Sequence, residues 1–399
     1  MKILYLVSDF GLISETFVSD LVIGLAEAGE QVSVVCNCCH GKAISSVKIK
    51  TVPFMVLTSW LDRINFHLEQ WLEQPEKAKT FQRYLQQAQH KLLPVIKTEQ
   101  PDVAYIDFGK PAILARQVLQ NLDIPFVVHF HGCDVTSALN QANYRQELQK
   151  VFQDASALIV ASNHIRRLLI LEGASPEKIH VVRYGINFKN LSPLPWEKRK
   201  NTAPCVVFLG RFTPKKHPIA LVQAFALVKQ KLPNAQLSMI GNGSEMPRVK
   251  ERINQLGLTE SVKLYGALPQ AEALPIVNQH WLLAQHSVTS PNGDQEGFGL
   301  SLAEAAALEL PIVSTLHNGI PEQVINGQTG FLVPEFDYED MAEKIIKLLT
   351  NPDLAEKMGQ FGRINIAQLC SSQERIKKIR QIFVDIQINN LSENKITSI

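Results

Sequence analysis

Two glutamates, Glu296 and Glu304, are separated by seven residues in the stretch DQEGFGLSLAEAAAL, and Gly297 and Gly299 follow the first almost at once. Leu300 and its successors are good helix formers. The stretch therefore reads as a loop that turns tightly into a helix N-terminus. Backbone N–H groups and the positive end of the helix dipole favour a phosphate there. Carboxylates accept hydrogen bonds from hydroxyls. One glutamate in the loop and another about a turn into the helix could hold a sugar and a ribose on the two sides of a diphosphate. A surface glutamate on an amphipathic helix behind a glycine loop is the plainer alternative, and spacing alone favours it.

Other stretches carry weaker signals. In FVVHFHGCD, His129 and His131 share a face near the end of an expected strand. With Cys133 and Asp134 they could ligate a metal, although a histidine at a strand end is more often simply hydrogen-bonded. Cys36, Cys38, Cys39 and His40 form C-x-C-C-H. Zinc sites prefer C-x₂₋₄-C with a second ligand pair; none is evident, so these read as core or loop thiols. Gly241 and Gly243 in GNGSEM lack the third glycine of a dinucleotide fingerprint. Gly11 would let backbone approach a ligand. No D-x-D pair occurs in the chain, which removes a usual metal-diphosphate clamp.

These residues need elements to position them. Short apolar runs expected as strands begin at Lys2–Val7, Gln31–Cys36, Val103–Ile106, Pro125–Phe130, Ala157–Val160 and His180–Val182. A second series follows at Cys205–Gly210, Gln236–Ile240, Val262–Tyr265, Trp281–Ala284, Pro311–Ser314 and Gly330–Val333. Helical periodicity fills the gaps, with Ser14 as N-cap of the first helix and others near 218–231, 245–256, 300–308 and 338–349. Trp60, Ile64, Leu68, Trp71, Leu72, Tyr84, Leu85 and Leu92 read as a helical insertion over 59–98. The polar, proline-containing stretch 190–203 is the expected linker. The expected class is α/β, two Rossmann-like doubly wound parallel-sheet domains with ligands beyond the carboxyl ends of the strands.

Composition agrees. The chain has 399 residues, enough for two domains, with 45% hydrophobic and 20% charged residues. Forty basic and 38 acidic side chains leave a net charge of +2, too even for a dedicated nucleic-acid binder. No apolar run approaches the ~18 residues of a spanning helix. The opening MKILYLVSDFG suits a buried strand better than a secretory segment, and six cysteines make no disulfide framework. A cytoplasmic protein is expected, with peripheral contact at the inner membrane allowed.

Taken in order, EGFGLSLAEA, PIVST, NGIPE and NGQTGFLVP resemble the retaining glycosyltransferases of family 4, and the resemblance covers most of the chain. SETF after the first strand resembles the subset that builds bacterial exopolysaccharides such as colanic acid. The resemblance implies the GT-B fold, with two facing domains and a deep cleft. Residues 1–195 would take the acceptor, 196–370 the nucleotide-sugar donor, and 371–399 would return to the first domain. It implies that Glu296 contacts the donor sugar and Glu304 the ribose, within the donor loop Gly297, Phe298, Gly299 and Leu300. Arg211 and Lys216 of GRFTPKKHP, or Lys215 in an altered register, would neutralise the diphosphate as it departs; a solvated basic turn is the rival reading. Gly241 would lie beside the base. HGCD resembles an HGxD motif, placing His131 near the reacting sugar with Asp134 as its neighbour. A glycan or lipid-linked acceptor, no cofactor and no metal are implied. The sequence departs from the pattern at His286-Ser287, where Pro-Ser is usual, and at His217, Glu309 and Asn318, where glycine is. A nucleotide-sugar epimerase of the same fold and a non-catalytic nucleotide-sugar or glycan-binding protein are the alternatives.

Overall fold

The computed structural model describes residues 1–41, 43–56 and 77–396. The chain forms two compact units, one of Met1–Ala161, Ile165–Val182 and Gln373–Ile399, the other of Ser162–His164 and Arg183–Ser372. Each is built on a parallel sheet whose strands are apolar almost throughout, as strands covered on both faces must be.

The first sheet contains β1 (Lys2–Phe10), β2 (Gln31–Cys39), β3 (Lys48–Thr51), β4 (Val103–Asp107), β5 (Phe126–Phe130), β6 (Ala157–Val160) and β7 (Ile179–Val181), in the order β3-β2-β1-β4-β5-β6-β7. The second contains β8 (Cys205–Leu209), β9 (Gln236–Ile240), β10 (Val262–Gly266), β11 (Leu282–Ala284), β12 (Ile312–Thr315) and β13 (Gly330–Val333), in the order β10-β9-β8-β11-β12-β13. Both are doubly wound. The order reverses between β1 and β4 and again between β8 and β11, which opens a crevice at each switch point.

Most expected strands are present, and β3 is an addition. Its sequence, KIKT, alternates lysine with smaller side chains along a partly exposed sheet edge. Edge lysines discourage further strand pairing and erase the apolar run that marks a strand. The first helix starts at Thr16 with Glu15 at the cap position and no side-chain cap bond, so Ser14 lies one residue too early to serve. Of the expected insertion, Trp60, Ile64, Leu68, Trp71 and Leu72 lie outside the described residues; Tyr84, Leu85 and Leu92 are buried on the helix Lys77–Glu99.

The stretch 190–203 is an integral part of the second unit. It carries the helix Trp196–Lys200, and its Arg199 is fully buried. The Arg199 guanidinium donates to the carbonyls of Leu308 (2.7 Å), Glu309 (3.2 Å) and Asn278 (3.2 Å). Leu308 and Glu309 lie just past the helix Leu300–Ala307, so Arg199 satisfies carbonyls that a helix end leaves open. A basic run within the stretch expected as a linker thus anchors the helix bearing Glu304.

The helix Ser372–Ile396 packs in the first unit, burying Ile379, Ile382, Phe383 and Ile386. Each such side chain stabilises by roughly 1.5–3 kcal/mol. Arg375 donates to the Phe17 carbonyl at 3.0 Å and Arg380 pairs with Glu30 at 2.6 Å. No helix among the described residues is long and apolar enough to cross a membrane.

The three positions where glycine was expected all hold left-handed backbone: His217 at φ +36°, Asn318 at +48° and Glu309 at +62°. The loop geometry is kept although the permissive residue is gone. Glutamate in this region costs roughly 1–2 kcal/mol, whereas glycine costs about 0.4–1 kcal/mol through its looser unfolded chain. Glu309→Gly is therefore expected to stabilise the second unit by about 0.5–1 kcal/mol, readable as a higher denaturant midpoint. An unchanged or lower midpoint would mean that the glutamate side chain contributes more than its backbone strain removes.

Candidate active site

In the second unit the loops after β8 and β11 meet beyond the carboxyl ends of the strands. The β8 loop runs through Gly210 and Arg211 into the short turn Pro214–Lys216. It is fixed on one side by Phe212, whose N–H donates to the Asn242 carbonyl at 2.9 Å, and on the other by Val288, whose N–H donates to the Lys215 carbonyl at 2.8 Å. Gly241 must be glycine for this arrangement. At φ +139°, an added Cβ would collide with the Gly210 carbonyl.

Lys216 is thereby carried into the interior. Its Nζ lies 2.6 Å from Glu296 Oε2 and 3.2 Å from Gln285 Oε1. An added Cβ at Gly210 would stand 3.0 Å from the lysine Cδ, so the stem fits closely. Lys215 reaches Asp294 Oδ1 at 3.1 Å and the Gln295 carbonyl at 3.2 Å. Arg211 is exposed on the same loop, near enough for its charge to press on Lys216.

Burial opposes ionisation of Glu296, but the charges of Lys216 and Lys215 outweigh it and hold the carboxyl down at about 2. Burial pushes the Lys216 pKa down from its ordinary value, and the Glu296 charge opposes that fall. The Glu296 N–H donates to His317 Nε2 at 3.1 Å, and His317 Nδ1 faces Glu335 Oε1 at 2.6 Å. A backbone donor at Nε2 requires that nitrogen to accept, which places the ring proton on Nδ1 toward Glu335.

After Glu296 the chain passes through Gly297 and the buried Phe298 to Gly299, whose φ of +85° caps the helix Leu300–Ala307. Gln323 Nε2 donates to the carbonyls of Phe298 and Gly299, holding the turn. Glu304 is buried on this helix and accepts from Gln270 Nε2 at 2.5 Å. Lys215, Lys216 and Glu296 are therefore brought into one cluster. Glu304 sits on the adjoining helix, and Arg211 stays outside in solvent.

In the first unit, Gly11 has φ +81° and comes so close to Gly41 that a β-carbon would strike its backbone. His131 Nε2 lies 2.8 Å from Asp107 Oδ1, and Tyr5 donates its hydroxyl to the other oxygen of the same carboxylate. Burial disfavours the Asp107 carboxylate, but His131 and His129 outweigh that and hold its pKa well below the usual range. The His129 pKa is also lowered, to about 3, by burial and then by the neighbouring His131 charge. Asp134 accepts the N–H groups of His131 (3.1 Å) and Gly132 (2.9 Å), so it shapes the turn. The four-residue metal set considered from sequence separates. Asp134 is engaged with backbone, Cys133 is exposed, and the two histidines group with Asp107 instead.

Sequence reading missed Gln285, His317, Glu335, Gln323 and Asp107. Each is a single polar residue in or beside an apolar strand or loop, with no repeat or spacing to mark it.

Comparison with known proteins fits this geometry. Residues 194–364 match the family model for glycosyl transferases group 1, and residues 14–185 match that for the glycosyl transferase 4-like domain. Together the two models span most of the chain, which is a glycosyltransferase. This glycosyltransferase is 27% identical over 371 residues to the amylovoran biosynthesis glycosyltransferase AmsK of Erwinia amylovora, covering 87% of this chain and 90% of AmsK. It is 26% identical over 394 residues to WcaL of Salmonella typhimurium, named as a candidate colanic acid biosynthesis glycosyltransferase, covering 92% of this chain and 96% of WcaL. Among solved structures it resembles sucrose-phosphate synthase from Thermosynechococcus elongatus, with TM-score 0.79, 18% identity and coverage of 97% and 99%. It also resembles Anabaena HepE in complex with UDP-glucose, with TM-score 0.76, 18% identity and coverage of 96% and 100%. The two Rossmann-like units are those of the GT-B class. Neither the epimerase nor the binding-protein alternative gains support from these similarities.

Proposed function

We propose that this glycosyltransferase moves a sugar, with retention of configuration, from a nucleoside-diphosphate donor to a glycan or lipid-linked acceptor during surface-polysaccharide assembly. The observation that carries the proposal is the buried Glu296–Lys216 pair at the switch point of the second sheet. The names of AmsK and WcaL support the polysaccharide setting.

In this reading the donor occupies the second unit. Glu296 accepts from sugar hydroxyls, and Glu304 leaves Gln270 to accept from the ribose. Lys216 and Arg211, with Lys215 behind them, meet the negative charge that grows on the diphosphate as the glycosidic bond breaks. Preorganised cations aimed at developing charge are among the largest contributors to catalysis. The glycine loop Gly297–Leu300 offers backbone N–H groups to the same phosphates, and Gly241 borders the base. The acceptor falls to the first unit, with Gly11 and His131; Asp134 holds the His131 turn. Transfer uses no metal. The protein works in the cytoplasm, reaching lipid-linked acceptors at the inner membrane by peripheral contact.

A panel of nucleotide sugars tests this by thermal shift, because a ligand bound only to the folded state raises stability in proportion to the logarithm of its concentration over Kd. One donor is expected to give a large shift. Mass spectrometry should then show sugar added to an acceptor, at an undiminished rate with a strong chelator present. Release of an epimerised sugar without acceptor, or turnover abolished by the chelator, would contradict the reading.

A further inference from the structure

The C-x-C-C-H segment takes no part in the chemistry above, yet the fold supplies the ligand that its sequence lacks. In the parallel register of β1 on β2, Asp9 stands directly opposite Cys38. The chain beyond β2 stays attached to β1, since the His40 N–H donates to the Phe10 carbonyl at 2.8 Å. The Asp9 carboxylate, the Cys38 thiol and the His40 imidazole consequently converge, with their ligand atoms all within 4.8 Å of one another. His40 Nε2 and Asp9 Oδ1 are already 2.9 Å apart. The close approach of Gly11 and Gly41 draws together the two loops that carry these groups.

The surroundings of the sulfur point the same way. Asn37 Nδ2 lies 3.3 Å from Cys38 Sγ. The Asn37 amide cannot turn over freely, because its Oδ1 accepts the Met55 N–H at 2.9 Å. An N–H donor is therefore held toward the sulfur, as in the outer shell that orients and tunes a metal-bound thiolate.

We propose that Asp9, Cys38 and His40 bind a thiophilic divalent cation, with Zn²⁺ the best match. One thiolate, one imidazole and one carboxylate are all zinc ligands, and three protein ligands leave a fourth position for water. On binding, Cys38 releases its thiol proton to solvent. The His40 Nε2 proton that faces Asp9 is lost to solvent while Nδ1 keeps or takes up one, and the cation replaces the hydrogen bond between His40 and Asp9. The bound ion clamps the segment after β1 to the end of β2. The ion would fix the loops about Gly11 and Gly41 and would take no part in the bond-breaking step proposed above. The other three-ligand group, Asp107, His129 and His131, is a weaker candidate: it is buried, and the Tyr5 and Tyr105 hydroxyls already engage it.

The test uses the whole chain, reduced and stripped of metal. It is titrated with Zn²⁺ against a chromophoric chelator, and with Co²⁺ while absorption is recorded. The expected result is one equivalent of Zn²⁺ and a thiolate-to-cobalt charge-transfer band. Cys38→Ser should abolish the band and weaken Zn²⁺ at least tenfold. Asp9→Asn and the exposed His40→Gln should weaken Zn²⁺ by a similar factor, with thermal unfolding of the metal-free variants unchanged. Cys205→Ser, in the other unit, should alter neither readout. Absence of stoichiometric binding overturns the proposal. So does Zn²⁺ binding that survives Cys38→Ser without a thiolate band, because that ion would belong to the Asp107 group.

Discussion

Glu296→Gln is expected to lower kcat/KM by about 10²–10³-fold, the usual loss when one electrostatic contact to a transition state is removed, while the fold survives. Glutamine keeps the shape of the side chain and can still accept from Lys216 through its amide oxygen. What it lacks is the charge that balances the buried ammonium and polarises the sugar hydroxyls. Full activity in this variant would remove Glu296 from the reaction. The same substitution has a signature in acid. The Glu296 carboxyl sits near 2, against an ordinary value of 4.5. A depressed carboxylate contributes stability that is fully present above its unfolded value and is lost as pH falls toward the folded one. The wild-type protein should therefore lose this increment between about pH 4.5 and 2, and the glutamine variant should not. Acid-unfolding curves that superimpose would show that the pair does not titrate as described.

Lys216→Ala should do more damage, because it strands a carboxylate in the interior. Breaking a buried ion pair from one side costs about 3–5 kcal/mol, most of it the burial of the partner left behind. Glu296 would then keep its burial penalty with only Lys215 to offset it, and its pKa should rise from about 2 toward or above the ordinary range. Nucleoside diphosphate affinity should fall at least roughly 30-fold, the equivalent of the lower end of the 2–5 kcal/mol seen when one partner of a buried charge pair is truncated. Adding Arg211→Ala should weaken it further. Lys216→Arg is not expected to rescue, since the lysine stem already fills the space beside Gly210. Calorimetric titration with the diphosphate separates the effects. Unchanged affinity in the double variant would move the phosphate site elsewhere, and unchanged stability would mean that solvent reaches Glu296 more freely than its burial implies.

The parts of this molecule that were legible in its sequence are those that repeat. Apolar runs such as ILYLV and ALIV mark strands because burial on both faces favours apolar side chains at nearly every position. The helix with Glu304 is announced by its glycine loop and its alanines. β3 escaped because edge lysines conceal it. The residues that hold the site in place escaped for a different reason. Gln285 faces Lys216, Gln323 holds the glycine turn, and Asp107 meets His131, each through one side chain set by the register of distant strands. Arg199 escaped because it lies in a polar stretch that reads as a linker until a helix end is found waiting for the guanidinium. At the positions where glycine is usual, His217, Asn318 and Glu309 adopt the left-handed backbone themselves.

The first unit is assembled from segments separated by nearly all of the second. This orders events on the ribosome. At about 5–20 residues per second, synthesis of the intervening stretch takes roughly 10–40 s. Throughout that interval the nascent first sheet lacks Ile379, Phe383 and the other side chains that will cover it. The second unit emerges whole and can close at once. The first must keep an apolar surface waiting, so conditions that favour nascent-chain aggregation should strike it before its partner.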